Sequence, residues 1–126
     1  MDVIKLKEVS KSYKDNKILH NVNLSVTEGD ILGVIGKSGS GKTTLLNLIT
    51  GFVEATKGDI TYVNKFGKER DLNTNLHKVK RHLGYCPQHN SFYPQLTIEE
   101  NLLHFGMLYG INKTILQENI NQLLKF

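Results

Sequence analysis

The sequence predicts an α/β domain: an antiparallel β part at the N-terminus, a central parallel strand running into a phosphate-loop helix, and a helical segment after Thr97. Three observations predict it. Two stretches that alternate apolar with polar residues flank a short turn near the start. An apolar run leads straight into a glycine-rich loop. A helix-capping signal then opens a pattern of apolar residues at helical spacing.

Residues Val3 to Tyr13 and Lys17 to Val26 carry the alternation, and Asp15-Asn16 between them reads as a turn, so an antiparallel pair is expected. Tyr13, at the end of the first strand, admits two readings. Its ring either stacks on a nucleotide base or packs over the hairpin, and spacing alone favours packing. Glu28-Gly29-Asp30 is a turn. The run Ile31-Leu32-Gly33-Val34-Ile35 after it lacks alternation, as a strand covered on both faces would.

Gly36 to Thr44 reads Gly-Lys-Ser-Gly-Ser-Gly-Lys-Thr-Thr and fits a phosphate-binding fingerprint: Gly, four free positions, Gly, Lys and Ser/Thr between a strand and a helix. Successive backbone N–H groups from Gly36 through Lys37, Ser38, Gly39, Ser40 and Gly41 converge with the positive end of the following helix, so an anionic phosphate chain replaces water without leaving its charge unpaired. Lys42 supplies a point charge for the β- and γ-phosphates. The Thr43 hydroxyl suits the shell of a Mg²⁺ that otherwise holds phosphate oxygens and water, and Thr44 adds a donor lower on the phosphate chain. A merely flexible turn would not require Lys-Thr at the helix start. A dinucleotide-binding fingerprint fits less well, because Thr44 stands where it wants a third Gly or Ala and Asp59 precedes its strand instead of ending it.

Composition narrows the classes. With 126 residues and 39% apolar content the chain suffices for one domain and falls short of two ordinary ones. A formal charge of +4 suits a polyanionic ligand, but basic and aromatic residues do not interleave, so no nucleic-acid partner is expected. The single cysteine, Cys86, leaves no internal disulfide and no thiolate metal cluster, and its apolar surroundings predict a buried thiol. His20, His77, His82, His89 and His104 show no paired metal-ligand spacing. No apolar run approaches the ~20 residues that span a bilayer, and the start lacks a signal-peptide core; the chain reads as cytosolic.

Taken together, Ser12-Tyr13, the segment Leu24 to Gly36, the loop through Thr44 and Leu45-Leu46-Asn47-Leu48-Ile49-Thr50-Gly51 resemble the ATP-binding domain of ABC transporters. Thr56-Lys57-Gly58-Asp59-Ile60 resembles the family's turn into its next strand, and Leu83-Gly84-Tyr85-Cys86-Pro87-Gln88 its strand carrying the Q-loop glutamine. Ala55 departs from the pattern, standing where a proline is common. The resemblance implies an ABC-type P-loop NTPase fold. By the same resemblance Tyr13 stacks on adenine, Gly36 to Thr44 hold the phosphates of ATP, Lys42 and Gln88 are catalytic, and Thr43 and Gln88 serve Mg²⁺, with Gln88 contacting the metal or the attacking water. The resemblance also implies two partners: a second ABC ATP-binding domain and a transmembrane permease subunit facing the segment after Gln88. It places the protein on the cytoplasmic face of the membrane. Gly84 to Asn90, Leu96-Thr97 and Tyr109-Gly110 look most like the lipid- and drug-exporter branch that includes the type-A subfamily.

Between Tyr62 and His82 the chain turns polar and basic, with Lys65, Lys68, Arg70, Lys78, Lys80 and Arg81 against Glu69 and Asp71. A solvated loop and helix face is one reading; attraction to anionic lipid near a membrane partner is the other. His89 beside Gln88 has no identifiable partner and reads as structural or solvent-facing. Thr97-Ile98-Glu99-Glu100 is a capping box, which starts a helix whose Ile98, Leu102, Phe105 and Tyr109 share one face and which Gly110 ends. Gly106 inside it costs ~1 kcal/mol relative to Ala. Asn112 caps a second helix, in which Leu116, Ile120 and Leu123-Leu124 carry an apolar stripe to Phe126, where the sequence reads as cut inside the element.

The expected division is a β-rich nucleotide-binding part over residues 1–95 and the start of a helical subdomain over 96–126. A Leu-Ser-Gly-Gly-Gln-like signature is absent from these residues, and no aspartate follows an apolar strand run. The family's second metal-side carboxylate, catalytic glutamate and switch histidine are expected beyond Phe126. Residues 1–126 alone are therefore expected to bind nucleotide weakly at best, to expose an apolar sheet edge and to aggregate, while the parent protein hydrolyses ATP to drive transport. A soluble ABC-type ATPase without a transport role, and a nucleotide-binding fragment without turnover, are the alternatives.

Overall fold

The computed structural model describes residues 1–64 and 66–125, which form two compact units, Met1–Gly84 and Tyr85–Phe126. In the first unit, β1 (Asp2–Tyr13) and β2 (Asn16–Thr27) make the expected antiparallel hairpin, turned at Lys14-Asp15 with Lys14 at φ 53°. β3 (Lys57–Val63) pairs with β1, and β4 (Glu69–Asp71) pairs with β3; all pairings are antiparallel, in the order β2-β1-β3-β4. α1 (Lys42–Ile49) follows the glycine-rich loop and α2 (Leu72–Lys80) follows β4. Asp59, expected ahead of its strand, lies within β3 opposite Lys7.

Plain alternation would put Leu6 and Val9 on opposite faces of β1. A register shift between them, with Glu8 at φ 52°, supplies the extra residue of a bulge and turns both inward. Asn23 Oδ1 accepts from the Glu8 N–H at 3.0 Å and holds the bulge. Leu6, Val9 and Ile60 from the sheet then meet Leu45 and Leu48 of α1 and Leu72 and Val79 of α2 in one core. Each such side chain contributes roughly 1.5–3 kcal/mol on full burial. The Tyr62 hydroxyl donates to the Ile49 carbonyl, which ties β3 to the end of α1, and its burial pushes the hydroxyl pKa upward.

Two local expectations change. The polar stretch after Tyr62 is a hairpin rather than a plain loop: Asn64 Oδ1 accepts from Phe66 N and Lys68 N, both at 3.0 Å, and turns β3 into β4. Lys65, part of the basic stretch, lies outside the described residues. The segment Ile31–Ile35 forms no strand among the described residues, with Ile31 101% and Ile35 96% exposed instead of covered on both faces. Coverage of a central strand depends on ladder and face neighbours that come from elsewhere in a chain.

In the second unit, α3 (Ile98–Leu108) and α4 (Lys113–Leu123) pack on each other. The capping box forms as expected: Thr97 Oγ1 accepts from Glu100 N at 3.2 Å, and Glu100 Oε2 accepts from Thr97 N at 2.8 Å. The predicted apolar stripe of α3 is largely open, with Ile98 71%, Phe105 37% and Tyr109 61% exposed. What α3 turns to α4 is Gly106, where an added Cβ would lie 2.4 Å from Leu116 Cδ1. The glycine lets the helices approach and is more than a weak point. Asn112 caps α4, accepting from Thr114 N at 2.9 Å, and Leu116 and Ile120 are buried. Leu123 and Leu124 are exposed, α4 closes at Leu123, and Phe126 lies outside the described residues. Leu83 to Gln88, expected as a strand, forms none among the described residues, and Cys86 is exposed rather than buried. The reason is the same as for Ile31–Ile35: an apolar run becomes a buried strand only beside a partner.

Candidate functional site

The glycine-rich loop is built on the start of α1. Gly41 is the N-cap residue, at φ 94° and ψ 5°, a left-handed conformation that glycine adopts without a Cβ penalty. No side chain caps this end among the described residues, and no acidic residue lies in the first turn. The first N–H groups of α1 therefore have no intrahelical acceptor and point, with the positive end of the helix, toward the loop. A side chain at Gly41 would meet Leu19 Cδ2 at 2.9 Å and Ile18 Cγ2 at 3.1 Å, so the loop rests directly on β2. At Gly36 an added Cβ would lie 2.6 Å from Ser40 Oγ.

Lys42 closes the ring. Its ammonium donates to the carbonyls of Gly36 at 2.8 Å and Lys37 at 2.7 Å, with Ser40 Oγ at 3.5 Å. Ser40 N donates to Lys37 O at 3.2 Å, and Leu45 N to Gly41 O at 2.8 Å. The ion pairs recorded among the described residues both belong to Lys5, so Lys42 keeps its charge for the loop.

Lys37, Ser38, Gly39, Ser40, Thr43 and Thr44 share this loop and the first turn of the helix. Tyr13 is linked to it through the hairpin register. Lys11 pairs with Leu19, which touches the Gly41 position, and Tyr13 stands two residues further along, paired with Asn16. The Tyr13 ring is 47% exposed, and Lys11 Nζ sits 4.9 Å from its centroid, covering one face. Gln88 is exposed in the second unit, ahead of the capping box. Sequence reasoning missed Ile18 and Leu19, which back the loop; no signal in their spacing marks them.

The donor set fits a polyphosphate: uncapped helix N–H groups, one lysine and small residues where a Cβ would intrude. For Mg²⁺ the loop offers the exposed Thr43 hydroxyl. Among the described residues no group of three or more His, Cys, Asp or Glu side chains is placed to hold a metal. A cation at this site suits one hydroxyl, phosphate oxygens and water, as Mg²⁺ accepts.

Comparison with known proteins settles the family. Residues 19–125 match the family described as ABC transporter. The chain belongs to it. Over 127 residues it is 32% identical to ATP-binding cassette sub-family A member 6 of Mus musculus, covering 98% of this chain and 8% of that protein. It is 33% identical over 121 residues to probable multidrug ABC transporter ATP-binding protein YbhF of Escherichia coli K12, covering 96% of this chain and 20% of that one. The dimeric, post-hydrolysis ATP-binding cassette MJ0796 bound to ADP and Pi superposes with a TM-score of 0.73 at 30% identity, over 97% of this chain and 56% of that one. The chain spans a small part of the length of the curated relatives it matches. No helix among the described residues is long and apolar enough to cross a membrane.

Proposed function

We propose that this ABC domain binds MgATP and, in the intact protein, couples its hydrolysis to transmembrane transport. The observation that carries the proposal is the ring that Lys42 makes with the Gly36 and Lys37 carbonyls in front of an uncapped α1. A phosphate oxygen carries negative charge and a carbonyl oxygen does not, so phosphate adds Coulombic attraction to the hydrogen bond that the Lys42 ammonium makes. Lys42 is thus preset to exchange loop carbonyls for phosphate oxygens. Gly36 to Thr44 would hold the phosphates, Tyr13 the adenine on its uncovered face, and Thr43 the metal. Mg²⁺ supplies charge neutralisation along the phosphates.

Gln88 would approach the metal or the attacking water, and residues 1–95 would act as the nucleotide-binding part, with 96–126 opening a helical subdomain. The partners proposed are a second ABC ATP-binding domain and a transmembrane permease subunit, on the cytoplasmic face of the membrane. The dimeric state of the ADP- and Pi-bound neighbour supports the first of these. The test is hydrolysis. The full-length protein is expected to release phosphate from ATP with Mg²⁺, Lys42→Ala to abolish this, and residues 1–126 alone to show none. Turnover unaffected by Lys42→Ala would refute the assignment.

A further inference from the structure

Within the first unit, between the β3–β4 turn and the end of α2, lies a cleft of about 550 Å³. That falls inside the roughly 300–1,000 Å³ of small-molecule sites. None of its walls belongs to the loop Gly36–Thr44. Its floor is carbon: Val63, Val79, Leu83 and the ring of Tyr62, whose hydroxyl is engaged with Ile49. Its rim is cationic, with Arg70 from β4 and Lys78 and Arg81 from the end of α2.

Among the described residues no carboxylate lines the cleft. The two acids of β4 that stand nearest in sequence are engaged elsewhere, Glu69 with Lys5 Nζ at 2.7 Å and Asp71 with Thr74 N at 2.9 Å as the cap of α2. Among the described residues Arg70, Lys78 and Arg81 form no ion pair. Arg70 finds a neutral acceptor, Asn75 Oδ1, at 3.4 Å. Lys80 of the same helix instead lies over the Phe52 ring, 5.2 Å from its centroid. A solvated basic face accounts for cations on a surface. It does not account for cations from two elements lining one cleft with an apolar floor.

We propose that this cleft binds a phosphate-bearing amphiphile, its phosphate on Arg70, Lys78 and Arg81 and its apolar part on Val63, Val79 and Leu83. Guanidinium groups suit phosphate because their planar fork matches two of its oxygens. A free organic phosphate and the headgroup of an anionic lipid share this chemistry.

The test is acylation footprinting of lysines by mass spectrometry on the full-length protein carrying Lys42→Ala, so that the phosphate loop is not the reporter. Phenyl phosphate probes the free anion, and vesicles of phosphatidylglycerol in phosphatidylcholine, against phosphatidylcholine alone, probe the headgroup. At least a threefold fall in Lys78 labelling with either probe is expected, with Lys7 on β1 unchanged. Protection by phenyl phosphate assigns a free ligand, and protection only by the anionic vesicles assigns a lipid headgroup. Arg70→Gln with Arg81→Gln should abolish the protection and Arg81→Lys retain part of it, with circular dichroism unchanged. Protection by neither probe, equal protection of Lys7, or protection that survives the double substitution would overturn the proposal.

Discussion

Lys42 holds its own loop in place: with no carboxylate partner, its ammonium is satisfied by the carbonyls of the residues it encloses. That makes Lys42 a brace of the loop, in addition to the binding role proposed for it. Its replacement by Ala should weaken ATP binding by about 1.5–3 kcal/mol, the scale of a hydrogen bond to a charged group. Tyr13 has one ring face under Lys11 and is otherwise half open. Tyr13→Ala is expected to cost about 1–3 kcal/mol of ATP affinity and Tyr13→Phe little, because stacking needs the ring and not the hydroxyl. Fluorescent-nucleotide titration of the full-length protein checks both. At this scale the loop's shape was legible, since its spacing is local and Gly36, Lys37, Ser40 and Lys42 meet as near neighbours in sequence. The support beneath it was not: Ile18 and Leu19 read as ordinary strand residues, and nothing in their spacing shows that they meet Gly41.

Elements with local chemistry were read well, and α3 shows both the success and its limit. Hydrogen bonds from the Thr97 N–H and hydroxyl hold the Glu100 carboxyl below its ordinary value of 4.5. A depressed folded-state value means that the cap's contribution is fully present above pH 4.5 and is lost as pH falls through the lower folded value. Amide exchange at the start of α3 should accelerate in that acid window, and Glu100→Gln should remove the pH dependence. The buried side chain of the helix is not one of its apolar residues but Asn101, 9% exposed. Its carbonyl accepts from Tyr93 N at 2.7 Å, and its amide nitrogen lies 2.9–3.1 Å from the carbonyls of Tyr93, Leu96 and Thr97. Asn101→Leu should strand those backbone groups and destabilise the local structure by about 1–3 kcal/mol, seen as faster exchange of the Tyr93 amide. Periodicity counts apolar residues, so a polar anchor is invisible to it. The bulge at Glu8 escaped for the same reason: it breaks the alternation that defines a strand in sequence, yet it is what brings Leu6 and Val9 to one core.

Across the whole molecule, what was legible is what needs no distant partner. The hairpin, the phosphate loop and the capped helices all form from neighbours in sequence. Ile31–Ile35 and Leu83–Gln88 read as strands because their composition is that of a parallel sheet, and they form no strand among the described residues because such a sheet is assembled from remote segments. The glycine-rich loop does not depend on that assembly for its shape, since Lys42 already holds Gly36 at the start of α1. The most direct test is therefore calorimetry of ATP binding to the full-length protein, with and without Mg²⁺. Binding that strengthens with Mg²⁺ and is weakened by about 1.5–3 kcal/mol in Lys42→Ala is the predicted result; no heat of binding under either condition would contradict a loop built to hold a triphosphate.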